Sequence, residues 1–340
     1  MTIDELLQRE IDVGSFASAT YVVGTPDGIE QSGAHGNAVA VPLRVKATLG
    51  TIYDVASTTK ALVTATLILQ AVAERRIALD DRFHGFTYRE LLTHTSGLQA
   101  WLPLYTYDDY LAAILAHGRT HEAGTKVVYS DLNFILLWYA LRELFGDYVR
   151  AANERIFERL GIDNDAMFNP PAYLRPSIAA TEWGQRYEVK MCADRNVPAR
   201  GLREGLIWGE THDGNSFHAG GTAGNAGLFA TAGAMFRIMQ AIVRGELYPR
   251  ELLEESTRNY TPGLEENRGL GWQLQSPTAN ATKMLSPRAF GHMGFTGTSA
   301  WCDPEQGDRI FILLTNRVHP CAAPVGMQAI RGEFHRLASR

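Results

Sequence analysis

Two rhythms of apolar and polar positions run along this chain, and they divide it into ends and middle. Met1 to Arg9 has the pattern of an amphipathic helix. Phe16 to Gly24 and Gly28 to about Gly36 then read as a hairpin. The turn Thr25-Pro26-Asp27-Gly28 carries Pro at its second position and Gly at its fourth, residues a type I turn accepts. Near the other end, Thr298 to Asp303 and Arg309 to Thr315 pair around Pro304-Glu305-Gln306-Gly307-Asp308. A helical stretch follows from Val325 to Ser339. Between the ends, a strand pattern at Thr51 to Val55 runs into a long apolar helix from Thr58 to about Arg75. Further helices are predicted at Thr87–Thr93, Tyr107–His117, Ser130–Phe145, Tyr148–Leu160 and Ala232–Arg244.

This arrangement predicts an α+β fold: one antiparallel sheet built from both chain ends, flanked by the terminal helices, with a mostly helical lobe inserted. Residues 1–57 and 285–340 form the expected sheet lobe and residues 58–284 the helical one, with approximate boundaries. A length of 340 residues suits two lobes better than one core. The stretch from about Asn169 to Gly227 is rich in Gly, Pro and polar residues without clear periodicity, and such stretches are commonly functional or disordered.

Composition narrows the function classes. A net charge of −5 gives no electrostatic reason to expect nucleic acid or an anionic membrane as partner. The apolar run Ala61–Leu69 meets Glu74-Arg75-Arg76 and is too short to span a bilayer. Cys192, Cys302 and Cys321 are odd in number and far apart, which disfavours a disulfide framework. The first residues lack a cationic start, an apolar stretch and a cleavage site, so a cytoplasmic location is expected.

The candidate chemistry begins with Ser57 and Lys60 in Ala56-Ser57-Thr58-Thr59-Lys60. Residues three apart share a helix face, so the lysine amine can reach the serine hydroxyl. A hydroxyl is a poor nucleophile until a neighbouring group takes its proton. At a strand-to-helix junction the first N–H groups are free and the helix dipole favours negative charge. A bare Ser-x-x-Lys also suits a helix cap with a solvated lysine. Val127-Val128-Tyr129-Ser130-Asp131 precedes another apolar helix. Ser130 or Asp131 suits a cap and Tyr129 a core position. As chemistry, a phenol beside an ammonium can relay a proton. Phe290-Gly291-His292-Met293-Gly294-Phe295-Thr296-Gly297 runs into a strand, and its glycines permit close approach of a ligand to the backbone. It reads equally as a glycine-rich turn with a satisfied histidine. As chemistry, His292 offers a donor near neutral pH. A strand-edge N–H there can join that of Ser57 in an oxyanion hole.

Taken in order and rough spacing, these three motifs resemble the serine β-lactamase and penicillin-binding-protein superfamily. The resemblance is closest to the branch of class C β-lactamases, D-alanyl-D-alanine carboxypeptidases and related esterases. It extends to Leu91-Leu92-Thr93-His94-Thr95-Ser96-Gly97-Leu98, Gly220–Leu228 and Leu314-Thr315-Asn316-Arg317. It implies Ser57 as acylated nucleophile, Lys60 holding or removing its proton, and Tyr129 as general acid/base. The N–H groups of Ser57 and Phe295 would form the oxyanion hole, and Asp131, His292 and Gly294 would contact substrate.

The chain departs from the family pattern at three places. Lys-Thr-Gly is replaced by His292-Met293-Gly294, and Met293 is a poor partner for a carboxylate. An acidic Asp131 replaces an amide, which favours the ammonium form of Lys60. Asn225 stands where related sequences often have histidine. The first two departures argue against efficient penicillin turnover. They favour a serine hydrolase of an ester, an amide or a D-amino-acid peptide. The alternatives are a true β-lactamase or carboxypeptidase, and a non-catalytic penicillin-binding sensor.

No cofactor is expected, and the expected partner is a small molecule or peptide substrate. His212-Asp213 and His218 include metal-ligand residue types, but no His-Glu-x-x-His or Cys-x-x-Cys supports a site. No Gly-x-Ser-x-Gly elbow is present.

Overall fold

The computed structural model describes residues 1–320 and 326–339. Its main sheet has seven antiparallel strands and draws on both ends of the chain. From one edge the order is Val45–Lys46, Gly28–Val39, Ser18–Thr25, Arg309–Thr315, Ser299–Asp303, Phe290–Met293 and Gln273–Leu274. The two hairpins meet at the centre, where Tyr21 pairs with Leu313 and Val23 with Phe311.

Side chains on a strand alternate between faces, and the central strands use both. Phe311 and Leu313 point to the face covered by helices Ile3–Asp12 and Met327–Ala338, packing with Leu6, Ile330 and Phe334. Ile310, Ile312 and Leu314 point to the other face. There helix Ala232–Arg244 lies across the central strands and the other helices continue the same core. A sheet buried on both faces explains why Arg309–Thr315 reads as a nearly unbroken apolar run.

Most predicted elements are present, with informative shifts. The helix expected from Tyr107 begins at Tyr110, because Asp109 caps it by accepting from the Ala112 amide at 3.1 Å. The apolar helix after Ser57 opens with a π-helical turn, Lys60–Ala65, before the α-helix Thr66–Ala73. The expected helix Tyr148–Leu160 likewise contains a π-helical turn at Asn153–Phe157. The stretch 169–227 holds two helices that apolar periodicity did not reveal, Arg186–Asp194 and Gly214–His218. The first has no side-chain cap: Gln185 at its start sits in the left-handed region with φ 43°. Val325 and Cys321 lie outside the described residues; Cys192 and Cys302 are buried free thiols. Among the described residues, no helix is long and apolar enough to cross a membrane.

A second, three-stranded sheet positions the site. Tyr53–Asp54 pairs with Leu228–Ala230, which pairs in turn with Ala166–Phe168. It is shorter than the strand expected at Thr51–Val55, because the chain turns at Ala56.

Candidate active site

The turn after Asp54 is built from the backbone outward. Ala56 has φ 48°, a left-handed conformation that costs a residue with a Cβ on the order of 1 kcal/mol. The buried Asp54 carboxylate holds that turn. Its Oδ1 accepts from the Ala56 amide at 2.8 Å and its Oδ2 from the His212 amide at 2.7 Å. Thr58, Thr59 and Lys60 donate their amides three residues back, to Val55, Ala56 and Ser57. Ser57 thereby opens a helix, as its sequence context suggested. Its own amide donates to no protein group among the described residues.

Lys60 is fully buried under the serine. Its Nζ donates to Ser57 Oγ at 2.9 Å and to the Asn225 carbonyl at 2.9 Å, and lies 2.7 Å from Asp131 Oδ1. Burial alone would lower the lysine pKa. The Asp131 charge and Tyr129 outweigh it and push Lys60 up to about 12. Lys60 is therefore an ammonium at neutral pH, as the acidic residue at 131 led us to expect.

The second motif turns away from helix capping. Ser130 stands at the cap position of helix Asp131–Phe145, but its hydroxyl donates to the Gln99 carbonyl at 2.7 Å. Asp131, the first residue of that helix, reaches Lys60. Tyr129 projects beside them, with Lys60 Nζ 5.0 Å and the Arg268 guanidinium 5.3 Å from its ring centroid. His94 supports this loop: its Nδ1 accepts from the Ser130 amide at 3.0 Å and its ring lies 4.7 Å from that of Tyr129.

The third motif closes the site from the main sheet. Strand Phe290–Met293 ends in a turn tied to the segment before Ser57. Thr296 Oγ1 donates to the Asp54 carbonyl and Thr298 Oγ1 to the Val55 carbonyl, both at 2.8 Å. Gly294 packs so closely that an added Cβ would overlap Thr298 Oγ1 and the Val55 carbonyl. Two arginines clamp the turn. Arg331 donates to the Gly294 and Thr298 carbonyls at 3.1 and 2.9 Å, and Arg317 Nε donates to the Phe295 carbonyl. The Phe295 amide itself donates to no protein group among the described residues.

His292 differs in character from the donor that its sequence suggested. Burial, then the Lys60 and Arg268 charges, hold its pKa well below the usual imidazole value. Its Nδ1 lies 2.9 Å from the Met293 carbonyl, which only accepts, so Nδ1 carries the proton. Nε2 is left as a buried acceptor with no partner among the described residues.

Ser57, Tyr129 and Phe295 together line two adjoining cavities of about 270 and 380 Å³. Asp131 lines the smaller, and His292 and Gly294 the larger. The structure thus brings Ser57, Tyr129, Asp131, His292, Gly294 and Phe295 to one cleft, with Lys60 beneath it. It also supplies residues that the sequence reading left without a role. Arg268, Arg317 and Arg331 line the larger cavity. Arg268 precedes the Gly269-Leu270-Gly271-Trp272 segment, a glycine pattern beside a strand that could have drawn attention to it. His212, weighed as a metal ligand, has Nε2 2.7 Å from Glu182 Oε2 and stacks on Phe295. The Nε2 of His218 contacts the Gly201 carbonyl at 2.9 Å.

Known proteins resemble this chain in sequence and in fold. Residues 27–331 match the Beta-lactamase family. A curated relative from Escherichia coli (strain K12), named putative D-alanyl-D-alanine carboxypeptidase, is 29% identical, the match covering 95% of this chain and 83% of that protein. Among solved structures, a penicillin-binding-protein homologue from Caulobacter crescentus superposes with a TM-score of 0.75 at 20% identity, covering 99% of this chain and 96% of the other. EstCE1, described as a hydrolase with promiscuous acyltransferase activity, superposes with a TM-score of 0.74 at 16% identity and the same coverage. The agreement runs through the fold as well as the sequence, and the chain belongs to the β-lactamase family as a serine hydrolase.

Proposed function

We propose that Ser57 is the nucleophile of a two-step acyl transfer that hydrolyses a D-amino-acid peptide bond. The observation that carries this reading is the 2.9 Å hydrogen bond from Lys60 Nζ to Ser57 Oγ, in a cleft that Tyr129 and Phe295 also line. An ammonium has no lone pair, so Lys60 cannot take the serine proton. It instead stabilises negative charge on the oxygen. Tyr129 acts as the general base and takes that proton on its oxygen while Oγ bonds to the substrate carbonyl carbon. The carbonyl oxygen gains the negative charge and sits between the Ser57 and Phe295 amides. When the bond to the leaving nitrogen breaks, Tyr129 returns the proton to it. Water then attacks the acyl-enzyme, passes a proton to Tyr129, and Ser57 leaves with that proton.

The larger cavity suits the leaving group. Three guanidinium-bearing residues and no carboxylate line it. Arg268 is buried; its Nη2 donates to the Glu266 carboxylate, while its Nε has no hydrogen-bond partner among the described residues. Arginine in such a place recognises a carboxylate, the group that ends a peptide. The carboxypeptidase name of the Escherichia coli relative supports the same choice. An ester is the second reading, favoured by the neutral, apolar character of Met293 and by the likeness to EstCE1.

Incubation with N-acetyl-D-alanyl-D-alanine and with p-nitrophenyl acetate separates the two. Release of D-alanine supports the peptidase reading, and ester turnover alone supports the second. Neither product from folded protein would reject acyl transfer.

A further inference from the structure

The smaller cavity has the opposite character from the larger one. Asp131, Glu188 and Asp213 line it together with Trp101, Tyr187 and Phe295. Of these carboxylates, Asp131 has Lys60 as its ion-pair partner. Glu188 is 5% exposed, and its buried Oε1 has no hydrogen bond of ordinary geometry among the described residues; the Tyr105 hydroxyl gives the carboxylate a weaker contact. Its other oxygen accepts from the Gly214 amide at 3.1 Å and from the Gln185 side chain. Asp213 Oδ1 accepts from the Ser216 amide at 2.7 Å.

The nearby cations offset this arm only in part: the Arg203 and His212 charges act on Glu188, yet its carboxyl stays raised. Arg195 also lines the cavity, but it is exposed, lies over the Trp101 ring at 5.4 Å and donates to the Met191 carbonyl. Arg203 gives its donors to Gln185 Oε1 and to the Thr211 and His212 carbonyls, with Glu210 3.6 Å away. His212 is held by Glu182, and the Tyr105 hydroxyl lies 3.5 Å from Cys192 Sγ. Burial and then the Asp213 charge push the Glu188 carboxyl up to about 7. A cation entering the cavity would relieve both influences. The aromatic walls add attraction of the same sign, because ring faces are electron-rich. Tyr187 and Phe295 form one such wall, with ring centroids 4.3 Å apart.

We propose that this cavity is an ammonium-binding subsite for the acyl half of the substrate, with Glu188 and Asp213 as its anions and Trp101, Tyr187 and Phe295 as its walls. The inference rests on acylation of Ser57 and extends it. With a cationic arm on the other side of Ser57, the preferred substrate carries an ammonium on the acyl side and a carboxylate on the leaving side. A short peptide with a free amino group meets both conditions. The ammonium can come from the peptide N-terminus or from a side chain, and the test separates the two.

The test compares kcat/KM for D-alanyl p-nitroanilide, N-acetyl-D-alanyl p-nitroanilide and Nα-acetyl-D-lysyl p-nitroanilide, with a fluorophosphonate label on Ser57 as control. At least a tenfold preference for D-alanyl over N-acetyl-D-alanyl is expected if the ammonium is the N-terminus. The same preference for Nα-acetyl-D-lysyl assigns it to a side chain. In either case Glu188→Gln should bring the ratio to within about threefold of one. Asp213→Asn, which retains a capping side chain, tests the same ratio if the first variant does not fold. Equal rates for all three anilides in protein whose Ser57 a separate sample shows to take the label, or a preference untouched in a folded variant, would overturn the subsite alone. Absence of the label would overturn acylation itself.

Discussion

Lys60 Nζ lies 2.7 Å from Asp131 Oδ1, an ion pair beside the nucleophile in which the lysine is fully buried and the carboxylate partly exposed. Burial and charge act on the lysine in opposite directions, and charge wins. In the proposed mechanism the working form of Lys60 is thus the ammonium, which leaves proton transfer to Tyr129.

Asp131→Asn removes the charge and leaves the burial. The Lys60 pKa should then fall from about 12, and the alkaline limb of kcat/KM against pH should move down by at least about one unit. Removing one partner of a buried pair also costs about 3 kcal/mol, taken at the low end because Asp131 keeps a fifth of its surface. An alkaline limb that stays in place would show that the ammonium form is not required.

Tyr129→Phe keeps the ring against His94 and Lys60 and removes only the hydroxyl. The expected loss in kcat is about 10²–10⁴-fold, the usual contribution of a proton-transferring group. Thermal stability should change little. Steady-state kinetics beside a melting curve checks both, and near-normal turnover would return the proton-transfer role to another group.

Gly294→Ala forces a methyl against Thr298 Oγ1 and the Val55 carbonyl. The turn must shift, and the Phe295 amide with it. Loss of one oxyanion donor costs about 10²–10³-fold in kcat. Peptide or ester hydrolysis should fall by that order while a neutral ligand still binds. Unaltered kcat in a folded variant would remove Phe295 from the oxyanion hole.

How much of this could be read from the sequence follows from which interactions are local. Ser57 and Lys60 are one helical turn apart, so spacing allowed their contact while also suiting a solvated lysine, and the structure shows the contact. The hairpins were legible because alternation is a local signal, and Tyr21 does pair across to Leu313 as a sheet from both ends requires. Arg268, Arg317 and Arg331 come from separate segments and meet only through folding. Met293 looked like the loss of a carboxylate site when its neighbours in space were unknown. Glu188 was missed for a related reason: its helix, Arg186–Asp194, has no side-chain cap to announce it. Ser130 shows the converse, a capping residue in the capping position whose hydroxyl bonds elsewhere.

A pH effect on stability is expected at His335, one helical turn after Arg331. His335 is buried among Trp301, Phe311 and Phe334, with Nδ1–H donating to the Ala281 carbonyl at 2.7 Å. Burial lowers its pKa from 6.5 to about 4. Below 6.5 the unfolded chain takes the proton and the folded chain does not, so stability present above that pH is lost as pH falls toward 4. His335→Gln keeps a donor and removes the titration. Its stability should fall less steeply than that of the wild type, by up to about 1.4 kcal/mol per pH unit. The raised carboxyls of Asp54 and Glu188 act in the opposite sense and cancel in this difference. Parallel denaturation curves at pH 6 and pH 5 would count against the assignment.

The central claim is that one serine oxygen becomes covalently acylated. Intact-mass spectrometry after treatment with a fluorophosphonate, followed by peptide mapping, measures it directly. A single adduct on the Ser57 peptide, absent from Ser57→Ala and slowed in Lys60→Ala, is the predicted result. An adduct elsewhere, or equal labelling of the Ser57→Ala protein, would contradict it.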